Sequence, residues 1–318
     1  MKNNTLQNRP EFNNLLDLAS FFPDEKACRE FLIKERWNGK PICVHCGYSE
    51  KVYSINEGKL LKCAKCRKQF TVRVGSIFED SALPLRKWFM AIYIFMAHKK
   101  GISSVQLAKD ISVTQRTAWF MLHRIRYAVR TRSLKKPLDG VVEADETFVG
   151  GKMVRDFGGQ TESTNKAIVF GMKQRNGKVI AQTIKNRSAK TIQKIIRENI
   201  SPDAVLMTDE WGGYKGLDDT YDAHGTVNHK KKEYVRGEIH TNSIESFWAL
   251  FKRGYVGTYH YMSKKHLDKY VDEFEFRYNF KNIADPKRFG AMLSVCEGRL
   301  TYRNLVKRKY TQRSLTKH

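Results

Sequence analysis

The sequence predicts an α/β protein in which a small cysteine-rich module and a helical segment precede a domain built around a β-sheet. Three observations lead to this prediction. Two cysteine pairs lie within residues 43–66, residues 84–130 have a helical pattern throughout, and residues 140–210 combine four short β-rich runs with one helical run. A chain of 318 residues has room for about two domains, each with a core of its own.

Basic residues dominate the composition. Lys and Arg number 58 against 33 Asp and Glu, which gives a net charge of +25. This charge favours nucleic acid as a partner, then an anionic membrane surface; a merely soluble basic surface is the alternative. The first 20 residues lack a secretory signal, and the apolar run 88–97 is far shorter than the roughly 20 residues of a membrane span. We therefore expect a cytoplasmic, nucleoid-associated protein with no membrane partner and with reduced cysteines.

Four cysteines have the spacing of metal ligands, C-x2-C-x16-C-x2-C. They are Cys43, Cys46, Cys63 and Cys66. The alternation in residues 47–62 predicts a hairpin that brings the two pairs together, and four thiolates in a tetrahedron suit one structural Zn²⁺. An iron–sulfur cluster or redox thiols are the alternatives. We expect His45 on the surface, and Cys28 and Cys296 as ordinary buried thiols.

The helical segment predicts three consecutive helices. The first ends near Gly101, Ser103 or Ser104 caps the second, and a short turn leads to a third that starts at Thr114. This is the plan of a helix-turn-helix, whose third helix enters the major groove of DNA. A plain helical bundle that joins two domains is the alternative. The residues expected to reach base edges are Gln115, Arg116 and Thr117. Those expected to face the core are Trp119, Met121, Leu122 and Ile125.

Three carboxylates stand out in the sheet-containing part. Strand alternation puts Asp145 on the same face as Glu143, whereas Glu146 falls on the opposite, apolar face. Asp209 follows an apolar run at the carboxyl end of its predicted strand, where open α/β sheets place their sites. Glu245 opens a predicted helix over residues 242–254.

The helix that Glu245 opens permits two interpretations. A capping box, with Asn242 as N-cap and Glu245 three residues later, would explain the glutamate by helix stability alone. The second interpretation adds Glu245 to a metal-binding set with the two aspartates. Lys252 lies two turns further along the same helix face, where it could hold a phosphate.

Clustered carboxylates require a cation, since they repel one another without it. Hard oxygen ligands select Mg²⁺ or Mn²⁺. Two such ions about 4 Å apart can clamp a phosphodiester for in-line attack, and no Ser, Cys or Tyr nucleophile is then needed.

Over about residues 20–285, the chain resembles bacterial insertion-sequence transposases of the ISXO-like group, the zinc-ribbon DDE type. The motifs that carry the resemblance are "FLIKERWNGKPICVHCG", "LKCAKCRKQFTVRVGSIFE", "EADETFVGGK", "TDEWGGY" and "HTNSIESFWALFKRGYVGTYHYMSKKHLDKYVDEFEFRYN". The resemblance implies an RNase H-like catalytic fold, cleavage at the ends of the element and joining of the 3′ ends to target DNA. It implies Asp145, Asp209 and Glu245 as the acid triad and Lys252 as the basic residue seven positions after the glutamate.

These observations lead us to expect a DNA transposase that uses two Mg²⁺ or Mn²⁺ ions and acts as a homo-oligomer on double-stranded DNA, both element ends and target. A sequence-specific zinc-ribbon DNA-binding protein with a silent nuclease domain is the alternative, and a structure-specific nuclease is a third. Arg253 is a further candidate for holding end DNA. Two aromatic sets have less certain roles: packing or base stacking for Trp211 and Tyr214, and DNA contact for Tyr259, His260 and Tyr261.

The expected organisation has five parts, and the polar link 131–140 is the strongest boundary signal. They are an N-terminal arm (1–20), a zinc-ribbon domain (21–80), a helix-turn-helix-like segment (81–132), an RNase H-like domain (133–290) and a basic tail (291–318). The last 20 residues carry seven Lys or Arg and no acid, which predicts a solvated tail, with DNA contact as the alternative.

Overall fold

The chain forms an α/β structure in which a helical core adjoins a five-stranded sheet. The structure is a computed structural model, and it describes residues 12–130, 137–150, 154–155, 161–162, 166–217, 220–221, 223–227, 235–236 and 239–307. Residues 1–11 of the predicted arm, 131–136 of the predicted link and 308–318 of the predicted tail lie outside the described residues.

The N-terminal part contains five helices and three short strands. They are α1 (Leu15–Phe21), α2 (Glu25–Trp37), β1 (Val52–Ile55), β2 (Leu60–Cys63), β3 (Gln69–Phe70), α3 (Leu85–Ala97), α4 (Ser104–Asp110) and α5 (Gln115–Arg130). The predicted hairpin between the cysteine pairs is present, because β1 pairs antiparallel with β2 and β2 with β3. Ser103 caps α4 as predicted, since its hydroxyl accepts the Gln106 amide at 3.1 Å.

The remaining part contains the main sheet and five helices. They are β4 (Val141–Val149), β5 (Ala167–Gln174), β6 (Val179–Ile184), α6 (Ala189–Asn199), β7 (Val205–Asp209), β8 (Ala223–Val227), α7 (Asn242–Gly254), α8 (Leu267–Asn279), α9 (Asp285–Leu293) and α10 (Tyr302–Val306). Two further hairpins pair Val154–Arg155 with Thr161–Glu162 and Val235–Arg236 with Ile239–His240.

The strand order of the main sheet is β8-β7-β4-β5-β6. Strands β4, β7 and β8 are mutually parallel, while β5 is antiparallel to both of its neighbours. In chain order, β4, β5 and β6 form an antiparallel meander, and β7 and β8 extend the sheet on the other side of β4. This is the RNase H-like arrangement that the resemblance implies. The sequence analysis did not predict β8, because its residues "AHGTV" lack an apolar run or a clear alternation.

The two faces of the sheet have different covers. Val142 and Ala144 of β4 pack with α6 in one core, and Val149 packs with α7 and α8 in the other. The predicted alternation of β4 is therefore confirmed, and the face with Glu143 and Asp145 is the one that α7 covers.

One helical core joins the two ends of the chain. Phe12 and Leu18 at the N-terminal end and Phe289 of α9 are buried in it with Phe89 of α3. The predicted N-terminal arm thus ends in a helix whose apolar face is buried. The core-facing residues predicted for α5 are buried in it too, apart from Trp119, which is partly exposed.

The prediction of a solvated tail is wrong for residues 299–307. Leu300 and Leu305 are buried, and the Leu300 carbonyl accepts the Arg124 Nε–H at 3.1 Å. The charge count missed this packing, because a few apolar residues spaced among the basic ones are enough to anchor the segment. In the part of the chain that the structure describes, no helix combines the length and apolar character needed to cross a membrane.

Candidate active site

The four cysteines predicted as ligands converge at one point. All four sulfurs lie within 4.8 Å of one another, with Cys43 Sγ 3.6 Å from Cys66 Sγ and Cys46 Sγ 3.7 Å from Cys63 Sγ. Zn–S bonds of about 2.3 Å in a regular tetrahedron put sulfur atoms about 3.8 Å apart, so this set fits one zinc ion. His45 is exposed, as predicted, and Cys28 and Cys296 are buried far from this group.

Asp145 lies on the central strand of the sheet and faces helix α7. Its Oδ2 accepts the Trp248 indole N–H at 3.0 Å. Burial raises the pKa of Asp145 to about 7, and the negative charges of Glu146 and Asp209 add to this effect. A cation bound beside this carboxyl would favour its ionised form and lower its pKa again.

Asp209 ends strand β7, immediately beside β4. The parallel register pairs Glu143 with Met207, so Asp145 and Asp209 each lie two residues beyond that pair. Asp209 Oδ1 accepts the Trp211 amide at 3.0 Å, and its Oδ2 is 3.8 Å from Arg187 Nη2. The sheet therefore brings the two predicted aspartates to neighbouring positions.

Arg187 and Glu146 form a second charged group beside Asp209, and the sequence analysis missed Arg187. The guanidinium bonds Glu146 and stacks over the Trp211 ring, 4.3 Å from its centroid. Glu146 also accepts the Tyr214 hydroxyl at 2.8 Å, on the face opposite to Asp145. Tyr214 is buried, which confirms the packing role rather than base stacking. No spacing pattern pointed to Arg187, because it lies in the turn between β6 and α6.

The capping-box interpretation of helix α7 is wrong. Asn242 is the first helical residue and Thr241 is the N-cap, without a capping side-chain bond. The free amides of the first turn go instead to Glu143 of β4, whose Oε2 accepts Ser243 N at 2.7 Å and Ile244 N at 3.0 Å. A capping partner 100 residues away replaces the local one that the sequence suggested.

Glu143 is a second residue that the sequence analysis left without a role. It is fully buried, and its Oε1 accepts Arg175 Nε at 2.8 Å and lies 3.3 Å from His240 Nδ1. Its position two residues before Asp145 on the same strand face was the available signal. Through Glu143 and Trp248, the first two turns of α7 are attached to the strand that carries Asp145.

Glu245 is exposed on the first turn of α7, and its Oε1 accepts the Thr241 hydroxyl at 3.3 Å. Among the described residues, the cysteines are the one group of three or more His, Cys, Asp or Glu side chains whose ligand atoms all lie within 4.8 Å. The three acids are thus spaced more widely than the ligands of a single ion. A pair of ions is held by a wider set of ligands than a single ion.

The basic and DNA-contact candidates are on the surface. Lys252 and Arg253 are exposed in the last turn of α7. Gln115 and Arg116 are exposed at the start of α5, although Gln115 bonds the Ser104 hydroxyl at 2.8 Å and Arg116 stacks over Tyr302 at 4.9 Å. Thr117 is partly exposed and its hydroxyl is 2.9 Å from that of Thr114. Their role in base contact stays a prediction.

Two family models match the chain. The ISXO2-like transposase domain matches residues 137–279, and the transposase zinc-ribbon domain matches residues 23–69. A transposase-like protein of Haemophilus influenzae is 30% identical over 106 residues, which span 33% of this chain and 85% of that protein. The chain belongs to the ISXO2-like transposase family.

Other relatives and folds accompany this assignment. A protein in the transposable element ISH50 of Halobacterium salinarum is 26% identical over 275 residues, 80% of this family member and 91% of the relative. Among solved structures, the Mos1 strand transfer complex has a TM-score of 0.26 and 13% identity, covering 70% of this chain and 82% of that one. The Mos1 catalytic domain, with the same TM-score and identity, covers 57% and 96%. The family assignment does not depend on these low TM-scores.

The family models divide the features of this ISXO2-like transposase between two regions. The zinc-ribbon match contains the four cysteines, and the transposase-domain match contains Asp145, Asp209, Glu245 and Lys252. The RNase H-like sheet and the cysteine-bearing ribbon that the sequence predicted are both present.

Proposed function

We propose that this chain is a metal-dependent DNA transposase that binds the ends of an insertion sequence, cleaves them and joins the 3′ ends to target DNA. The observation that carries the proposal is the attachment of the Glu245 helix to the Asp145 strand, by the Glu143 and Trp248 hydrogen bonds. That attachment ties the helix turn that carries Glu245 to the strand that carries Asp145, and the parallel strand next to it carries Asp209.

Asp145, Asp209 and Glu245 are the proposed ligands of two Mg²⁺ or Mn²⁺ ions. Their donors are all carboxylate oxygens, the set that hard cations prefer, and the negative charges of Glu146 and Asp209 add to burial in raising the pKa of Asp145 to about 7. When bound, such ions activate a hydroxyl nucleophile and stabilise the leaving 3′ oxygen. Trp248 would orient Asp145, and the Trp211 amide and Arg187 would orient Asp209.

Lys252 and Arg253 are the proposed contacts to the DNA backbone near the cut. Seven residues of helix separate Glu245 from Lys252, a rise of about 10 Å, so the lysine would hold a phosphate outside the metal site. The cysteine group would hold one structural Zn²⁺, which stabilises a ribbon whose own apolar core is small. A homo-oligomer on DNA is part of the proposal, because transposition joins two ends.

Cleavage of DNA that carries the terminal inverted repeats of an insertion sequence tests the proposal. Purified zinc-loaded protein with Mg²⁺ is expected to nick these repeats, whereas Asp145→Asn, Asp209→Asn and Glu245→Gln each lower the cleavage rate by about 10³-fold or more. All three variants are expected to bind the repeats like the wild type.

Matched controls make this experiment selective. Glu198→Gln changes an exposed glutamate that pairs with Lys194 far from the acids, and it is expected to cleave normally. Unchanged cleavage in the three acid variants would refute the proposed metal site. Binding of the repeats without cleavage in Mg²⁺ and Mn²⁺ would support the alternative, a DNA-binding protein with a silent nuclease domain.

A further inference from the structure

A cavity of about 430 Å³ lies between the helix-turn-helix-like segment and the stretch that follows α7. Its volume is within the range of about 300–1,000 Å³ that is usual for small-molecule sites. Five of its eleven lining residues have aromatic rings, namely Trp119 of α5, Tyr259, His260 and Tyr261 after α7, and Tyr270 of α8.

The stretch after α7 is held in an unusual conformation. Tyr255–Tyr259 form one π-helical turn, and the next residue, His260, has φ of +56°, which is rare for a residue other than glycine. A Cβ on Gly101 would lie 2.1 Å from the Tyr259 hydroxyl, so the close packing of residue 101 against Tyr259 requires glycine. Such local outliers persist where the surrounding structure imposes them, and they are frequent at binding sites.

Tyr261 is available to a ligand. Its side chain is 71% exposed, and within the described part of the chain its ring has no aromatic or cationic neighbour. The other rings are already fixed, since Tyr259 and Tyr270 pack edge to face at 4.9 Å and Trp119 packs on His123 at 4.4 Å. One free ring therefore stands at the edge of a rigid aromatic cavity.

The cavity also offers hydroxyl groups. Ser103 accepts the Gln106 amide and Ser104 accepts the Gln115 side-chain amide, so each serine keeps its own hydrogen for donation. Hydroxyl groups can donate to the edge of a nucleobase, which carries ring nitrogens and carbonyl oxygens. Aromatic rings can stack on its flat π surface.

The two chain segments that contribute most of the cavity lining are basic. Six exposed side chains belong to the two chain segments that meet there: Lys99, Lys100, Lys252, Arg253, Lys264 and Lys265. Residues 81–109 and 246–267 contain no Asp or Glu. Such a surface attracts a phosphate backbone and disfavours an acidic peptide as the occupant.

We propose that this cavity binds an unpaired nucleobase of a DNA strand whose phosphates lie on these six basic side chains. Tyr261 would cover the face of the base, Trp119 would provide the inner stacking surface, and the two serines would donate to its edge. The inference rests on the proposed function in one respect: the strand would be the one held by Lys252 and Arg253 next to the acids.

Binding of matched DNA duplexes, with and without a short single-stranded overhang, tests the inference. The wild type is expected to bind the overhang form about tenfold more tightly, because stacking of one base on an aromatic ring contributes roughly that factor or more. Tyr261→Ala is expected to abolish this preference and to leave affinity for the blunt duplex within about twofold. The control is Val256→Ala, which removes an equally exposed apolar side chain, 68% accessible, from the same stretch.

Crosslinking gives an independent readout. A 5-iodouracil placed in the overhang is expected to crosslink to the peptide that contains Tyr261 or the one that contains Trp119. Equal affinity of the wild type for both DNA forms, or crosslinks confined to other peptides, would overturn the inference. Binding of the blunt duplex in that case would leave the proposed function intact. A wild type that bound neither DNA form would contradict the proposed function itself.

Discussion

His123 is a histidine that is neutral in the folded protein because it lies inside the helical core. It is fully buried against Trp119, His266 and Tyr270. Within the described part of the chain, neither ring nitrogen has a hydrogen-bond partner. Burial, together with the nearby charge of Arg126, the ring of His266 and the charge of Lys269, lowers the pKa of His123 to about 2. The residue packs as an aromatic side chain and has to lose its proton for the chain to fold.

This histidine is expected to make the fold sensitive to acid. An unfolded histidine takes up a proton near pH 6.5, whereas folded His123 does not, so its contribution is fully present above that pH and is lost as the pH falls. Between pH 7.5 and pH 5, wild-type protein should lose about 2 kcal/mol more unfolding free energy than His123→Leu. Urea denaturation at both pH values measures the difference.

Zinc release at low pH affects both proteins and cancels in this comparison. His45→Gln, at an exposed position, is expected to keep the wild-type pH dependence. Parallel stability profiles for the wild type and His123→Leu would contradict the argument.

At the scale of elements, helix α7 depends on a strand for its start. Most helices of the chain with a side-chain cap use a residue next to their own first turn, such as Asp24 for α2 or Ser188 for α6. Helix α7 uses Oε2 of the buried Glu143, while Oε1 of the same carboxylate bonds Arg175 and faces His240. Loss of this bond would free the first turn of α7, and with it Glu245, to move relative to Asp145.

Glu143→Gln is therefore expected to lower the cleavage rate roughly 10–100-fold, because small displacements of reacting groups have effects of this size. Gln can accept the two amides but cannot neutralise Arg175. Duplex affinity should stay within about twofold, and the indole resonance of Trp248 should shift, since that N–H reports the spacing between α7 and Asp145.

Glu275→Gln is the matched control for this change. Glu275 is a partly buried glutamate of the same domain, and like Glu143 it accepts a backbone amide, that of Ala181 at 3.0 Å. Burial raises its pKa to about 8, so it is largely neutral at pH 7 and its replacement by Gln changes little. If both variants cleaved at the wild-type rate with an unshifted Trp248 signal, Glu143 would have no positioning role.

At the scale of the whole molecule, a buried ion cluster joins the helical part to the sheet. Arg126 of α5 contacts Glu273 of α8 at 2.6 Å, and Arg277 contacts the same carboxylate at 2.6 Å while donating to the His98 carbonyl at 2.8 Å. Burial alone would raise the pKa of Glu273, but the two arginines hold it below its ordinary value. Tyr259 donates to this glutamate as well, so the cluster also supports the aromatic cavity.

Glu273→Gln is expected to destabilise the whole chain by about 3–5 kcal/mol, because it leaves two buried guanidinium groups without a counter-charge. Urea denaturation followed by circular dichroism measures the loss. Glu198→Gln, which removes one partner of an exposed pair on α6, should change stability by less than about 0.5 kcal/mol. Equal effects of the two substitutions would show that the buried cluster contributes nothing beyond surface charge.

How much of the fold and the site the sequence could predict depends on how far apart in the chain the interacting residues lie. The cysteine spacing, the Ser103 cap and the alternation of β4 are local patterns, and each prediction based on them agrees with the structure. Strand β8, the packing of residues 299–307 and the role of Arg187 depend on partners far along the chain, and no local pattern marked them.

By itself, the sequence determined the family, the α/β class, the ligand spacing of the four cysteines and the identity of the three candidate acids, since these are properties of residue type and short-range periodicity. Only the tertiary structure decided that Glu143 starts helix α7, that Arg187 accompanies Asp209 and that an aromatic cavity forms beside a basic surface. Each of these arises when residues at least 22 positions apart come into contact, and contacts between such residues leave no repeat or spacing in the chain that could reveal them.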